Sequence, residues 1–514
     1  MATPNAASLL VLLLVSCQSS ATAEWLPGGS PTPGYNQAIP SKLMTPDRVK
    51  TSIGTLEFFD GLPSPATSDK LYDFLDLSRG VDVFLNMVPA ASVEALRVGM
   101  LEMGVDAPNK VLLYDQLMDS NSLFLTGNTD TVYAIGLLDL LRDGPTVVEI
   151  PAGAGPGTVN DAFFRFVTDM GAPGPDRGKG GKYLLLPPGY EGEVPEGYFT
   201  SVCPTYVNWL PLRGFLKDGT TDAAVKMWTE GLRIYPLADA GNVPAMEFIS
   251  GTGKVVNTIH ANNLSFYSEI DDVVQREPLG FIDDELRGQL SAIGIQKGQP
   301  FEPDGRMKRI LTEAVSIANG AARAMAFDPR SETIHLYEGS ETWYVAFDGG
   351  DYRWLRDGGD GGRYMDARTL FFYIATVNTP AMVLQMVGVG SQYALCARDS
   401  EGRYLDGAKS YKLNIPAEVP AKDFWSLVAY DTQTRSMLQT DQPYPSKNNE
   451  RNKDLEKNKD GSIDIYFGPT APEGREANWI QTVPGKAWFT CLRLYGPLEA
   501  WFDQTWRPGD PVRL

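Results

Sequence analysis

Residues 128–141 read Asn-Thr-Asp-Thr-Val-Tyr-Ala-Ile-Gly-Leu-Leu-Asp-Leu-Leu. From 132 to 141 the β-branched, aromatic and aliphatic run predicts a buried strand. Successive side chains on a strand point to opposite faces, so Asn128, Asp130 and Val132 would share one face and Thr129, Thr131 and Tyr133 the other. An amide, a carboxylate, two hydroxyls and a phenol therefore meet at the strand entry. Asp130 reads as a general base or polar anchor with Tyr133 as donor. The same carboxylate can instead accept backbone N–H bonds and order a turn.

Similar runs lie on either side. Residues 110–114, 146–150, 163–168, 182–186 and 198–210 read as strands between Gly/Pro turns. Apolar residues at helical spacing mark 68–88, 92–103, 221–234, 264–275, 283–293, 304–327 and 363–377 as helices, with Asp304 as an N-cap. Strands return at 393–398, 408–413, 424–430, 462–467 and 488–495. The expected organisation is a signal peptide at 1–23, an extended and helical segment at 24–109 and a first β-sandwich domain at 110–220. A helical connector at 221–385 and a C-terminal β-sandwich domain at 386–514 follow. The expected fold class is mainly β with α: two antiparallel β-sandwich or jelly-roll-like domains joined by a helical region.

Composition bounds the function. The 514 residues carry a formal charge of −19, which disfavours phosphate backbones and excludes nucleic acid as the expected partner. Glycine (51) and proline (37) together make about 17% of the chain, above the ~12% average, as turn-rich folds require. Only His260 and His335 are histidines, which rules out multi-histidine metal centres. No cofactor is expected. Residues 9–15 form a short apolar run followed by a lipobox-like Leu-Val-Ser-Cys ending at Cys17 and by Ala-Thr-Ala at 21–23. They predict export, with Cys17 as a lipidation site and a lipid anchor as the expected membrane contact. No later run is read as long enough to span a bilayer. Cys203, Cys396 and Cys491 sit in apolar runs and read as buried thiols.

The chemistry-bearing candidates are few. Asp130 paired with Asp161 or Asp169 would supply two carboxylates of the kind glycoside hydrolysis uses, with Tyr133 as a further acid. Arg165 is placed to pair with Asp130. Asn128, Arg165, Trp425, Asn478, Trp479 and Arg493 are the candidate ligand-binding residues, the tryptophans as platforms for sugar rings or flat ligands. Tryptophans also fill sandwich cores. The basic glycine loop at 177–182 could approach an anion or be a solvated hairpin; it lacks the Ser/Thr and spacing of a phosphate loop. Asp460-Gly461 reads as a turn, because the twelfth position of a calcium loop begun at Glu456 is Phe467. The Asp-rich loop at 348–366 matches no defined cation site.

Beyond these single residues, the segments 128–133, 137–140, 147–151 and 177–192 resemble the first half of a bacterial family. That family is built from two modules, the domains of unknown function 1254 and 1214. The second module is matched by Asp406-Gly407 ahead of Tyr411, by 424–427, 460–462 and Asn478-Trp479, and by 493–497. The resemblance runs in order over about residues 70–510. It implies two β-sandwich domains joined by helices, often exported, and carries no reaction. At 478–481 this chain has Asn-Trp-Ile-Gln where Asn-Trp-Leu-Pro is usual. The expected function is binding of a small molecule or glycan in a cleft between the β domains. The alternatives are a metal-independent hydrolase of glycosidic or ester bonds and a structural assembly subunit; self-association into a homo-oligomer is also expected.

Overall fold

A computed structural model describes residues 39–514; residues 1–23, read above as a signal peptide, and Cys17 among them lie outside the described residues. The chain divides into two units, 1–78 and 79–514. In the first, strands β1 (Arg48–Thr51), β2 (Gly54–Phe59) and β3 (Leu62–Pro63) form an antiparallel sheet in sequence order. Helix α1 (Pro65–Glu102) begins there and continues into the second unit.

The two helices expected at 68–88 and 92–103 are thus one. Pro89 lacks an amide hydrogen and ordinarily breaks a helix. Here Val83, Phe84, Met87, Leu96 and Met100 are fully buried on both sides of it, and that packing outweighs the local cost. By length and composition α1 could cross a membrane, contrary to the expectation that no run after the leader is long enough. Its apolar face from Val83 onward is buried in protein.

In the second unit β4 (Lys110–Leu113), β5 (Thr131–Asp139), α2 (Leu140–Asp143), β6 (Thr146–Ile150), β7 (Pro156–Asp161), β8 (Phe166–Gly171) and β9 (Gly181–Leu186) come first. Then follow β10 (Phe199–Val202), β11 (Val207–Phe215), α3 (Asp222–Gly231), β12 (Arg233–Pro236) and β13 (Glu247–Ser250). They make a six-stranded sheet ordered β13-β4-β5-β11-β7-β8 and a four-stranded sheet ordered β10-β9-β6-β12. The run expected as one strand at 198–210 is two, β10 and β11, separated at Cys203-Pro204.

Helices α4 (Ser265–Arg276), α5 (Asp284–Ala292) and α6 (Gly305–Phe327), strand β14 (Trp343–Tyr344) and helix α7 (Met365–Ile374) form the middle. Asp304 caps α6 by accepting from the Met307 amide at 2.7 Å, as its side chain and position predict. The last segment holds β15 (Ser391–Cys396), β16 (Tyr411–Ile415), β17 (Ala421–Asp431), β18 (Ser446–Asn448) and β19 (Ile463–Gly468). It ends with β20 (Trp479–Gln481), β21 (Trp488–Pro497), α8 (Glu499–Phe502) and β22 (Val512–Arg513). Its sheets are β14-β15-β21-β17-β18 and β20-β19-β16-β22.

The architecture is mixed α/β with sheet domains. Three strand pairs are parallel, β4 with β13, β9 with β10 and β19 with β20, so the sheets are not purely antiparallel. Alternation along the strands explains where the core lies. On β5, Val132, Ala134 and Leu138 pack with residues of the four-stranded sheet, while Tyr133, Ile135 and Leu137 join the helices. On β21, Leu492 and Leu494 pack toward β16 and β19, while Phe489 and Cys491 join the same helical cluster. The helices that join the β segments are therefore also a shared core on which one sheet of each packs.

Two features of that core are testable. A Cβ on Gly99 of α1 would lie 2.2 Å from the Asn257 carbonyl oxygen, so Gly99→Ala should destabilise the protein by about 1–3 kcal/mol in denaturant unfolding. Glu277, fully buried at the end of α4, accepts from the Tyr206 and Val207 amides at 2.6 and 3.1 Å. Burial raises its pKa from 4.5 to about 7. A carboxyl raised on folding favours the protonated native state, so this contribution is full below the unfolded pKa and is lost as pH rises through about 7. Unfolding free energy should fall between pH 5 and 8, and Glu277→Gln should flatten that fall by about 1–3 kcal/mol.

Candidate functional site

Strand alternation and register bring two tyrosine–arginine pairs into the middle of the second unit. On β5 and β11, Tyr133 lies directly opposite Arg213. On β15, β21 and β17, Tyr393, Arg493 and Ser426 form one cross-strand row. Both sets occupy the faces turned toward the helices, between Ile135, Leu137 and Trp209 on one side and Tyr430 and Cys491 on the other. Tyr133, Arg213, Tyr393 and Arg493 line a cavity of about 180 Å³. Its remaining walls are mostly apolar: Phe347, Phe371, Ile374, Val377, Met382 and Leu395.

The polar groups divide into satisfied and available ones. Arg493, 6% exposed, donates to the Thr126 carbonyl at 2.8 Å and to the Tyr430 hydroxyl at 2.6 Å. Its guanidinium lies over the Tyr393 ring at 5.4 Å, and its Nε has no partner among the described residues. Arg213 is 8% exposed and faces Tyr393, Tyr133 and Tyr495. Burial raises the Tyr133 and Tyr495 phenols, so both remain neutral donors. Each guanidinium keeps its charge.

Asp130 stands behind this row rather than in the cavity. It is 1% exposed and accepts from Ser426 Oγ at 2.5 Å, Asn448 Nδ2 at 2.8 Å and Tyr495 at 3.3 Å. Strand β5 begins only at Thr131, so the face assignment for Asn128 and Asp130 fails. Both lie in the turn ahead of the strand, and the ordering role belongs to Asn128. Its Oδ1 accepts from the Asp130 and Thr131 amides at 2.9 and 3.2 Å and from the Thr131 hydroxyl, while its Nδ2 donates to Tyr133 at 2.6 Å.

The other candidates are placed elsewhere. Arg165 pairs not with Asp130 but with Asp161, Nε to Oδ2 at 2.6 Å. Asp161 is fully buried and also accepts the Phe163 and Arg165 amides, which fixes the turn after β7. Asp169 accepts from Thr379 at 2.8 Å; burial raises its pKa to about 6, with Thr379, Thr158 and Arg213 acting against the rise. The three carboxylates thus have separate partners. Trp425 is 3% exposed and packs with Leu413 and Ile465 in the C-terminal core. Trp479 donates to the Gly468 carbonyl, and Asn478 ties Glu456 to Asp464 through backbone carbonyls. None of these three lines the cavity.

Several other motifs are internally satisfied. The 177–182 loop follows a turn built on Asp176, which accepts from Gly171, Gly180 and Tyr183. Asp460 accepts from Ser462, Asp348 from Ser331 and Thr333, and Asp366 pairs with Arg330. No cluster of three metal-ligating side chains occurs among the described residues. Cys203, Cys396 and Cys491 are free and buried. Burial and the neighbouring Arg435 hold His260 down to about 3, so it is neutral near pH 7. The residues missed from sequence, Arg213, Tyr393, Tyr495 and Asn448, had one signal: Arg213 interrupts the apolar stretch Trp-Leu-Pro-Leu-Arg-Gly-Phe at 209–215 on the face of Trp209.

Two segments of the chain match family models of unknown function. The profile of DUF1254, a protein of unknown function, matches residues 108–236, and that of DUF1214, likewise of unknown function, matches 390–499. No curated protein matches the chain. The structure is similar to that of the VPA0106 protein from Vibrio parahaemolyticus, with a TM-score of 0.52 at 17% identity over 86% of this chain and 99% of that one. This likeness is one of fold alone. An uncharacterised protein from Burkholderia cenocepacia aligns at a TM-score of 0.36 and 13% identity, over 87% of this chain and 96% of that one, too loosely to say more. The chain therefore carries a DUF1254 module followed by a DUF1214 module, as its sequence motifs imply.

Proposed function

We propose that this protein binds a small organic anion with an apolar body in the central cavity. The observation that carries the reading is the placement of Arg213 and Arg493, one from each module and both more than nine-tenths buried, on an otherwise apolar space. Burying a guanidinium is costly unless charge or hydrogen bonds compensate. Asp130 is saturated by Ser426, Asn448 and Tyr495, which leaves Arg493 Nε without a partner among the described residues, with Arg213 beside Tyr393 on the same cavity. A carboxylate can accept from such groups in charge-assisted bonds, with Tyr133 and Tyr393 beside it and the alkyl or aryl portion against Phe347, Phe371 and Ile374. A glycan fits less well, because the walls offer few hydrogen-bonding groups and the tryptophan platforms lie elsewhere. The export signal read at the N-terminus adds to the proposal that this binding occurs outside the cytoplasm.

Calorimetric titration with octanoate and with octanol tests it. Octanoate should bind and octanol should bind at least ~10-fold more weakly, the worth of a hydrogen bond to a charged group. Arg213→Met and Arg493→Met should each weaken octanoate by ~10–100-fold and leave octanol unaffected. Equal binding of acid and alcohol, or unchanged octanoate affinity in both variants, would refute the reading.

A further inference from the structure

A second recess, of about 750 Å³, lies apart from the cavity and shares none of its lining residues. Four guanidiniums meet there: Arg165, Arg353, Arg363 and Arg368. Such a convergence is unusual for a chain of charge −19. Arg368 is 8% exposed and bonds only to carbonyl oxygens of Asn86. No carboxylate compensates it; burial and the neighbouring Arg363 push its pKa down to about 10. Arg165 and Arg368 both stand over the Phe163 ring, at 5.7 and 5.8 Å. Tyr352 carries Arg353 on its face at 5.4 Å.

The carboxylates in and beside the recess are accounted for. Asp161 pairs with Arg165 and Asp351 with Arg353. Asp283 is occupied as the N-cap of α5, accepting from Leu286; the exception is Glu285, exposed at the rim, whose carboxylate stays in solvent. Among the described residues, three buried polar atoms of the lining remain without partners: Arg165 Nη2, a donor, and the acceptors Asn378 Oδ1 and Gln289 Oε1. Phe163, Phe281 and Tyr352 supply the ring surfaces of the walls.

We propose that this recess is a second ligand site, for a planar aromatic molecule carrying a phosphate. The phosphate would accept from Arg368, Arg363 and the free Nη2 of Arg165, since guanidiniums present planar forks suited to phosphate oxygens. The ring would lie between Phe281 and the face of Tyr352 that Arg353 leaves open. A carboxylate is served less well, because it offers two oxygens and one charge to several guanidiniums.

Calorimetric titration with phenyl phosphate, benzoate, inorganic phosphate and phenol at low salt tests this. Phenyl phosphate should bind at least ~10-fold more tightly than the other three. Arg368→Gln should abolish that preference. Because Arg368 also holds the Asn86 carbonyl and Arg363 the Arg353 carbonyl, Arg363→Gln is paired with Tyr352→Ala; each should weaken phenyl phosphate several-fold in a protein that still unfolds cooperatively. Saturating octanoate should not displace phenyl phosphate, which separates this site from the cavity. No binding of phenyl phosphate at millimolar concentration, equal binding of inorganic phosphate, displacement by octanoate, or unchanged affinity in Arg363→Gln and Tyr352→Ala would each overturn the proposal.

Discussion

The carboxylate of Asp130 belongs to the first β module but finds its side-chain hydrogen-bond donors in the second: Ser426, Asn448 and Tyr495. A buried carboxylate left without such partners costs several kcal/mol. The first module therefore has one favourable seat on the second. The neighbouring residues repeat the constraint. The Thr126 carbonyl accepts from Arg493, the Gly127 carbonyl from Tyr430, and the hydroxyls of Thr129 and Ser446 meet at 2.6 Å. The turn ahead of β5 is thus clasped by β17, β18 and β21. The clasp holds Tyr133 and Arg213 across from Tyr393 and Arg493, and a cavity lined from both modules follows.

The helices complete this arrangement. Each β segment turns one face inward to its own second sheet and the other toward α1, α4, α6 and α7, so a single apolar cluster is shared by all three. Removing either module would expose that cluster. The proposed ligand site and the stability of the whole unit rest on the same faces, which is why polar residues on β5, β11, β15 and β21 sit among otherwise fully buried apolar neighbours.

Much of the fold was legible in the sequence because local rules were obeyed. The helical periodicities at 264–275, 283–293 and 304–327 match α4, α5 and α6 within a residue or two. The five strand runs read at the end of the chain correspond to β15, β16, β17, β19 and β21, while the three-residue strands β18 and β20 are too short to leave a pattern. Pro89 misled because tertiary packing overrode a local preference, and 198–210 misled because apolar composition does not mark a break between strands. The site was legible only in part. Tyr133 and Arg493 line the cavity and Asp130 and Asn128 support it, but Arg165, Asp161 and Asp169 find other partners. Arg213 and Tyr393 each read alone as ordinary strand residues. They become a site only through cross-strand register and docking between segments far apart in the chain, which periodicity does not encode.

The central claim is that the Tyr133–Arg213 and Tyr393–Arg493 pairs jointly receive one organic anion. A crystal of the protein grown with 8-bromooctanoate tests it most directly, because bromine scatters anomalously. The account predicts bromine density against the apolar wall of Phe347, Phe371 and Ile374, with the carboxylate between Arg213 and Arg493. Density at another place, or a carboxylate turned away from both arginines, would contradict it.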